Sequence, residues 1–236
     1  MEKPKRILLK LSGEALAGES AFGIDGARVA EIAAEIAAAR QLGVEFGIVL
    51  GGGNFFRGVN SGANGLQRVT VDYMGMIATV MNALALRDIL AAQSVPAEVF
   101  SAIPMEPAAP RFDRARALAA LAAGQVAIFA GGTGNPYFTT DTAAALRAVE
   151  IRAALFAKAT KVDGVYDKDP VRFADARRYG KISYGDVLAG GLAVMDATAV
   201  SLCRDNHLPV FVFNLNVRGN ILKLVQGDES IGTIIS

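Results

Sequence analysis

The stretch Gln125-Val-Ala-Ile-Phe-Ala-Gly-Gly-Thr-Gly-Asn-Pro-Tyr-Phe-Thr-Thr-Asp141 reads as an apolar strand, a glycine-rich turn and the start of a helix. Glycine lets backbone N–H groups converge on an anion without interference from a Cβ, and a helix starting after the turn adds the positive end of its dipole. The Thr-Thr-Asp sequence offers capping oxygens, so a helix is expected to begin at Asp141. Two other apolar runs end in similar turns, Lys10-Leu-Ser-Gly13 and Gly51-Gly-Gly-Asn-Phe-Phe-Arg57. A single turn of this kind is often only a connection. Three in one chain, two of them carrying Lys10 and Arg57, favour a site that holds several phosphates at once.

Working outward, residues 5–11, 44–50, 95–100, 125–130, 153–159 and 209–213 are short apolar or β-branched runs, and all six are expected to be strands. Helical patterns lie between them. In residues 26–41, Val29, Ile32, Ala33, Ile36 and Ala37 share one face and Arg28, Glu31 and Glu35 the other, with Asp25 as N-cap. Residues 69–92 are apolar nearly all round and carry Met74, Met76 and Met81, which predicts burial on more than one side, in a subunit interface or in the core of a monomer. The alternation implies an α/β fold with a largely parallel sheet covered on both faces, whose ligands sit beyond the strand C-termini. Residues 1–236 show no linker or repeat and read as one domain, with a polar, turn-rich excursion such as a hairpin at about 160–190.

Composition narrows the function. Lys+Arg 24 against Asp+Glu 23 gives a net charge of +1 with no basic stripe, so the expected ligands are small and neither nucleic acid nor membrane is a partner. Cys203 and His207 are the only residues of their kinds. A disulfide, a cysteine zinc site and a histidine metal pair are thereby excluded, no protein-bound metal is expected, and Ser-His-Asp chemistry is disfavoured; His207 reads as a surface turn residue. The apolar stretch Ile7 to Leu9 is broken by Lys10, far short of a signal-peptide core, and the expected location is cytoplasmic. The uncharged window from Tyr73 to Leu86 is too short for a membrane span and is broken by Asn82.

The common nucleotide motifs fail. G-x-G-x-x-G breaks at Phe56 after Gly51 and at Tyr137 after Gly132, and Gly180-Lys181 is followed by Ile182 rather than Ser or Thr. No H-R-D or D-F-G occurs.

Taken together, Lys10-Leu-Ser-Gly13, Gly51-Gly-Gly-Asn54 with Arg57, Asp72-Tyr-Met-Gly-Met76, the run from Gly131 to Asp141, and Lys158-Ala-Thr-Lys-Val-Asp-Gly-Val-Tyr166 resemble the amino acid kinase family, most closely its UMP-phosphorylating branch. The resemblance extends in order from about residue 6 to residue 214. It implies a three-layer α/β/α sandwich, usually hexameric, that moves the γ-phosphoryl of Mg-ATP onto UMP in pyrimidine nucleotide biosynthesis, with Mg2+ carried by ATP and with GTP and UTP as common allosteric effectors. By resemblance, Lys10, Leu11, Ser12, Gly13, Gly53, Arg57, Thr160, Tyr166 and Asp169 would hold ATP. Gly52, Asp72, Thr133, Gly134, Asn135, Pro136, Tyr137, Phe138, Thr139 and Thr140 would hold UMP. Gly18, Glu19, Ser20, Ala21, Phe22, Gly23 and Arg87 resemble the allosteric region.

Phosphoryl transfer needs the two phosphate groups in line and the charge on the transferring oxygens offset, so cations matter most. Lys10, Arg57 and Lys158 therefore enter the catalytic set as cations, and the carboxylate Asp141 joins them. A lysine between Leu9 and Leu11 is costly unless its ammonium meets an anion, although a strand-edge lysine reaching water has the same pattern. Lys158 is a second cation near the phosphates or a partner in an ordinary ion pair, and Arg57 can fork onto phosphate oxygens. Asp141 either orients Lys10, shares the magnesium or caps its helix. Asp72 caps the start of its helix or accepts from ribose hydroxyls. Tyr137 and Phe138 stack on a base or fill the core. Asp196 matches a recurrent family aspartate but equally suits the start of a helix, and stays outside the catalytic set; Arg218 stands where the family commonly has proline. Two rival readings are a related kinase of an amino acid or carbamate, and a protein of this fold that holds a nucleotide or oxyanion without transfer.

Overall fold

The structure, a computed structural model, describes residues 3–20, 22–56, 65–192 and 194–236. The six apolar runs form β1 (Arg6–Leu11), β2 (Glu45–Leu50), β3 (Ala97–Ser101), β4 (Val126–Ala130), β5 (Leu155–Thr160) and, after the two-residue β6 (Lys181–Ile182), β7 (Val210–Asn214). β6 and a last strand, β8 (Gly232–Ile235), lie outside the six runs because neither is long enough to show a period. All eight make one sheet in the order β3-β4-β2-β1-β5-β7-β8-β6. The pairs from β3 to β7 are parallel, and β8 runs antiparallel to β7. From β1 the chain moves to one side for β2, β3 and β4, then returns to the other for β5 and β7. Crevices at such a reversal lie outside the carboxyl ends of the strands.

The helices are α1 (Gly26–Arg40), α2 (Arg68–Ala92), α3 (Arg114–Ala122), α4 (Thr140–Glu150), α5 (Tyr184–Ala189), α6 (Ala197–Asp205) and α7 (Asn220–Val225). Asp25 caps α1 as expected, its Oδ1 accepting from Ala27 N at 2.9 Å and Arg28 N at 3.2 Å. One core unites α1, α2 and α7 with Ile7, Leu9 and Leu11 of β1. The other unites α3, α4, α5 and α6 with Leu8, Phe156 and Val212. The result is the three-layer α/β/α sandwich. By the same alternation Lys10, in phase with Leu8, and Lys158, in phase with Phe156, are directed to the α4 face.

α2 is long and apolar enough to cross a membrane by length and composition, yet Val80, Ala83, Leu86 and Leu90 pack into the first core. Its other side exposes Val69, Tyr73, Met74, Ile77 and Met81. The spacing of four between Val69, Tyr73, Ile77 and Met81 makes a stripe along the helix. Packing within one chain thus accounts for half of the apolar character read from the sequence.

The side of α2 turned inward also carries polar groups. Asn82, fully buried, donates from Nδ2 to Gly51 O at 2.7 Å and to Asn54 Oδ1 at 2.8 Å, and Asn54 Nδ2 returns a bond to Asn82 Oδ1 at 2.9 Å. Thr79 Oγ1 accepts from Gly131 N at 2.8 Å and donates to Met76 O at 2.7 Å. Two glycine turns are therefore bonded to one helix. Replacing Asn82 by alanine strands Gly51 O and Asn54 Oδ1 in a dry environment, leaving Asn54 Nδ2 its bond to Gly23 O, and is expected to cost about 2–4 kcal/mol of stability, measured as a lower urea midpoint at unchanged slope.

Candidate active site

β1 and β5 are parallel neighbours in which Lys10 and Lys158 are register partners, two ammonium groups on one face of the sheet. Their side chains are only 12% and 11% exposed, so their repulsion is poorly screened. Between them stands Asp141, in the first turn of α4. Its Oδ1 lies 3.0 Å from Lys10 Nζ and its Oδ2 2.5 Å from Lys158 Nζ. Lys158 Nζ also donates to Val194 O.

Asp141 is thus an ion-pair partner and not the cap, a role that falls to Thr139: its Oγ1 accepts from Asp141 N at 3.0 Å and Thr142 N at 3.2 Å, and the helix begins one residue earlier than expected. Asp196 caps α6, accepting from Ala199 N at 3.0 Å, and its two oxygens also accept from Thr142 Oγ1 at 2.9 Å and Thr139 Oγ1 at 2.5 Å. The N-termini of α4 and α6 are thereby held together, which fixes where Asp141 meets the lysines.

The glycine turns sit against this centre by backbone contact. A Cβ on Gly13 would lie 2.6 Å from Gly53 N and 2.8 Å from Gly51 O, so the turns after β1 and β2 approach as only glycine allows. A Cβ on Gly52 would lie 2.6 Å from Gly75 O of α2. Gly131, Gly132 and Gly134 have positive φ, as does Tyr137 at 72°.

Two cavities open on either side. The first, about 650 Å³, is lined by Gly52, Gly53, Asp72, Thr133, Phe138, Thr139 and Thr140, with Arg68 and Glu14. Asp72 lies one turn inside α2, which begins at Arg68, and so does not cap it. It accepts from Tyr137 N at 2.7 Å and from Arg68 Nε at 2.8 Å and 2.9 Å, while Arg68 lies 5.5 Å from the Tyr137 ring centroid. Tyr137 and Phe138 are 66% and 49% exposed, so the core-filling alternative is ruled out. Asn135 N donates to Thr133 Oγ1 at 3.2 Å beside Pro136, and Gly134 N to Gly131 O at 2.9 Å, closing the turn on itself.

The second cavity, about 660 Å³, is lined by Lys158, Thr160, Gly164, Tyr166 and Asp169, with Gly191 and Val194 opposite. Tyr166 donates to Asp163 Oδ1 at 2.6 Å, a bond that with burial holds its phenol above the usual range. Asp169 Oδ1 accepts from Val171 N at 2.9 Å. Thr140 lines the first cavity and Lys158 the second, so the Lys10–Asp141–Lys158 cluster stands at their boundary. Leu11 is fully buried and can offer a ligand only backbone.

A third hollow, about 450 Å³, is lined by Ser12, Gly18, Glu19, Arg28 and Thr160. Ser20 and Phe22 are exposed nearby, and the Phe22 ring meets Phe55 edge-on at 5.5 Å. Gly23 and Asn54 are joined twice, Gly23 N donating to Asn54 O at 3.0 Å and Asn54 Nδ2 to Gly23 O at 2.8 Å. Among the described residues, Arg87 is paired with Asp88 and not with the 18–23 segment. Arg57 and Ala21 lie outside the described residues. Exposed His207, with φ of 51°, is the surface turn residue expected.

Sequence reasoning missed Asn54, Thr79 and Asn82. The available signal was their place, the latter two as polar residues inside an apolar helix.

Burial raises the pKa of Asp141, but the Lys10 ammonium and then that of Lys158 outweigh it and hold the carboxyl below the ordinary 3.8. Burial, and secondarily Lys10, lower the pKa of Lys158 against the opposing pull of Asp141. The signs follow by linkage. The ionised Asp141 contributes stability that is complete above about pH 3.8 and is lost as pH falls through the depressed value; charged Lys158 carries a cost relieved only as pH rises toward 10.5. We expect Asp141→Asn to be destabilised by about 3–5 kcal/mol at neutral pH, and its melting temperature to fall less steeply than that of the unaltered protein below pH 3.8, as read by calorimetry.

The model of the amino acid kinase family matches residues 5–214. Among solved structures, the chain is similar to UMP kinase from Bacillus anthracis, at 38% identity and TM-score 0.95, over 99% of this chain and 96% of that one. It is also similar to UMP kinase from Ureaplasma parvum, at 36% identity and TM-score 0.93 over the whole of both chains. Uridylate kinase from Archaeoglobus fulgidus matches at 28% identity and TM-score 0.74, over 98% and 99%.

Proposed function

The chain belongs to the amino acid kinase family, and from that premise we propose that it transfers the γ-phosphoryl group of ATP to UMP, giving ADP and UDP. The observation that carries the proposal is the buried Lys10–Asp141–Lys158 cluster at the boundary of two cavities. In this reading the first cavity takes UMP, with Asp72 accepting from ribose hydroxyls and Thr133, Asn135 and Thr140 gripping uracil and phosphate. The second takes ATP against Thr160, Tyr166 and Asp169, and its phosphates run back along Lys10, Ser12, Gly13 and Gly53.

An oxygen of the UMP phosphate attacks the γ-phosphorus as the bond to the β–γ bridging oxygen breaks. The nucleophile is already anionic, so no general base is required, in keeping with the shortage of histidine. Lys10 and Lys158 offset charge on the transferring oxygens and the leaving β-phosphate. Arg57, from the sequence reading, bridges donor and acceptor.

Magnesium is part of the proposal, carried by the ATP phosphates and supplying further charge neutralisation there. The donor set suits it: Asp141 is a buried carboxylate whose Oδ1 meets the Lys10 ammonium at 3.0 Å beside the proposed phosphate path, and magnesium commonly takes one or two carboxylates alongside phosphate oxygens. A cytoplasmic location, a place in pyrimidine nucleotide biosynthesis, and regulation by GTP or UTP through residues 18–23 and Arg87 belong to the same reading, supported for the effector segment by the two hydrogen bonds that join Gly23 to Asn54 of the second glycine turn. A homo-oligomer, a hexamer by family likeness, is supported by the exposed apolar stripe of α2.

A coupled assay with ATP against a panel of nucleoside monophosphates and amino acids is expected to show turnover of UMP; turnover of glutamate-type acceptors without UMP would overturn the assignment. Lys10→Ala should lower kcat by about a hundredfold or more while UMP affinity changes less than about twofold. Light scattering should give a multiple of 24.6 kDa for the unaltered chain and a smaller species for Ile77→Asp, whose charge is buried only if the stripe is covered.

A further inference from the structure

The wall of the second cavity is built by the segment that follows β5, with Gly164, Val165, Tyr166, Asp167, Lys168 and Asp169 all lining it. This segment leaves the sheet and returns as a short antiparallel pair: Tyr179 N donates to Val165 O at 2.8 Å, Asp167 N to Arg177 O at 3.1 Å, and Tyr166 bridges Arg178. Such a two-stranded piece is marginal by itself and needs an anchor. Its outer part is exposed, Val171 being 85% and Phe173 48% accessible.

The anchor centres on one hydroxyl. Thr233 of β8 is fully buried, and its Oγ1 accepts from Val165 N at 2.9 Å while donating to Tyr179 O. One side-chain oxygen therefore ties both legs of the excursion at its base. The approach is close because residue 164 is glycine: a Cβ there would overlap Thr233 Oγ1. Thr233 itself is fixed by β7, pairing across with Val212, which also lines the cavity. Arg178 Nη2 to Ser230 O at 3.0 Å and Ile234 N to Gly180 O at 3.0 Å add to the same seam. β8 lies beyond residues 5–214, the stretch that the family model matches.

We propose that Thr233 is a positioning residue for the donor nucleotide, its hydroxyl setting the place of Tyr166 and Asp169 without touching the ligand. The inference rests on the reading of the second cavity as the ATP site. Loss of the hydroxyl leaves Val165 N and Tyr179 O unpaired in a dry seam, and the segment between them is released relative to the sheet. The first cavity shares no wall with this segment, so acceptor binding is untouched.

The test compares Thr233→Val, which keeps the shape, Thr233→Ser, which keeps the hydroxyl, and Gly164→Ala, which crowds the hydroxyl from the other side. The expected result is a rise of about tenfold in the KM for ATP in Thr233→Val and Gly164→Ala, with the KM for UMP within about twofold and Thr233→Ser close to the unaltered protein. In hydrogen exchange without ligand, the Val165 amide should lose protection in Thr233→Val and keep it in Thr233→Ser. KM values for ATP and UMP that rise together, or an ATP KM unmoved in both variants, would overturn the positioning role. If Thr233→Val does not fold, Gly164→Ala and Thr233→Ser decide it by the same two readouts. If the unaltered protein neither binds nor turns over ATP, the assignment of the cavity fails, while exchange at Val165 still reports whether the hydroxyl holds the segment.

Discussion

One carboxylate holding two ammonium groups apart is the interaction on which the rest of the site depends. Lys10 and Lys158 project side by side from adjacent parallel strands into a layer otherwise filled by Leu8, Phe156 and Val212. Left alone they would repel each other and lose hydration, a penalty of several kcal/mol per ion. Asp141 offsets both terms only because α4 begins where it does. Thr139 caps that beginning, and Asp196 ties the cap to α6.

The glycine turns add a second constraint, expressed through backbone. Gly13 against Gly51 and Gly53, and Gly52 against α2, approach too closely for any side chain. The spacing of the phosphate-facing amides is set by main chain and does not depend on rotamers. Asn82 and Thr79 extend the same rigidity by bonding the Gly51 and Gly131 turns to α2, the helix that also carries Asp72.

Much of this was legible from residue order. The six long runs became strands, Asp25 capped α1, and the three glycine turns came together at the strand C-termini, because each rests on local periodicity or local backbone chemistry. What needed register or long-range packing was not legible. That Lys10 faces Lys158 depends on the alignment of two strands distant in sequence, and the choice between capping and ion pairing for Asp141 depended on a helix starting one residue earlier. For Asp72 the decisive fact was a helix starting at Arg68. The paired amides of Asn54 and Asn82 show as isolated polar letters until the fold brings them into contact, and β6 and β8 are too short to carry a pattern.

The cluster also defines what an incoming anion must overcome. With Asp141 already seated between the lysines, an incoming anion competes with a carboxylate at contact distance instead of entering an open positive socket. Monovalent solutes such as chloride or acetate carry no more charge than the group they would displace. Polyphosphates do, so valence as well as shape becomes a criterion for entry.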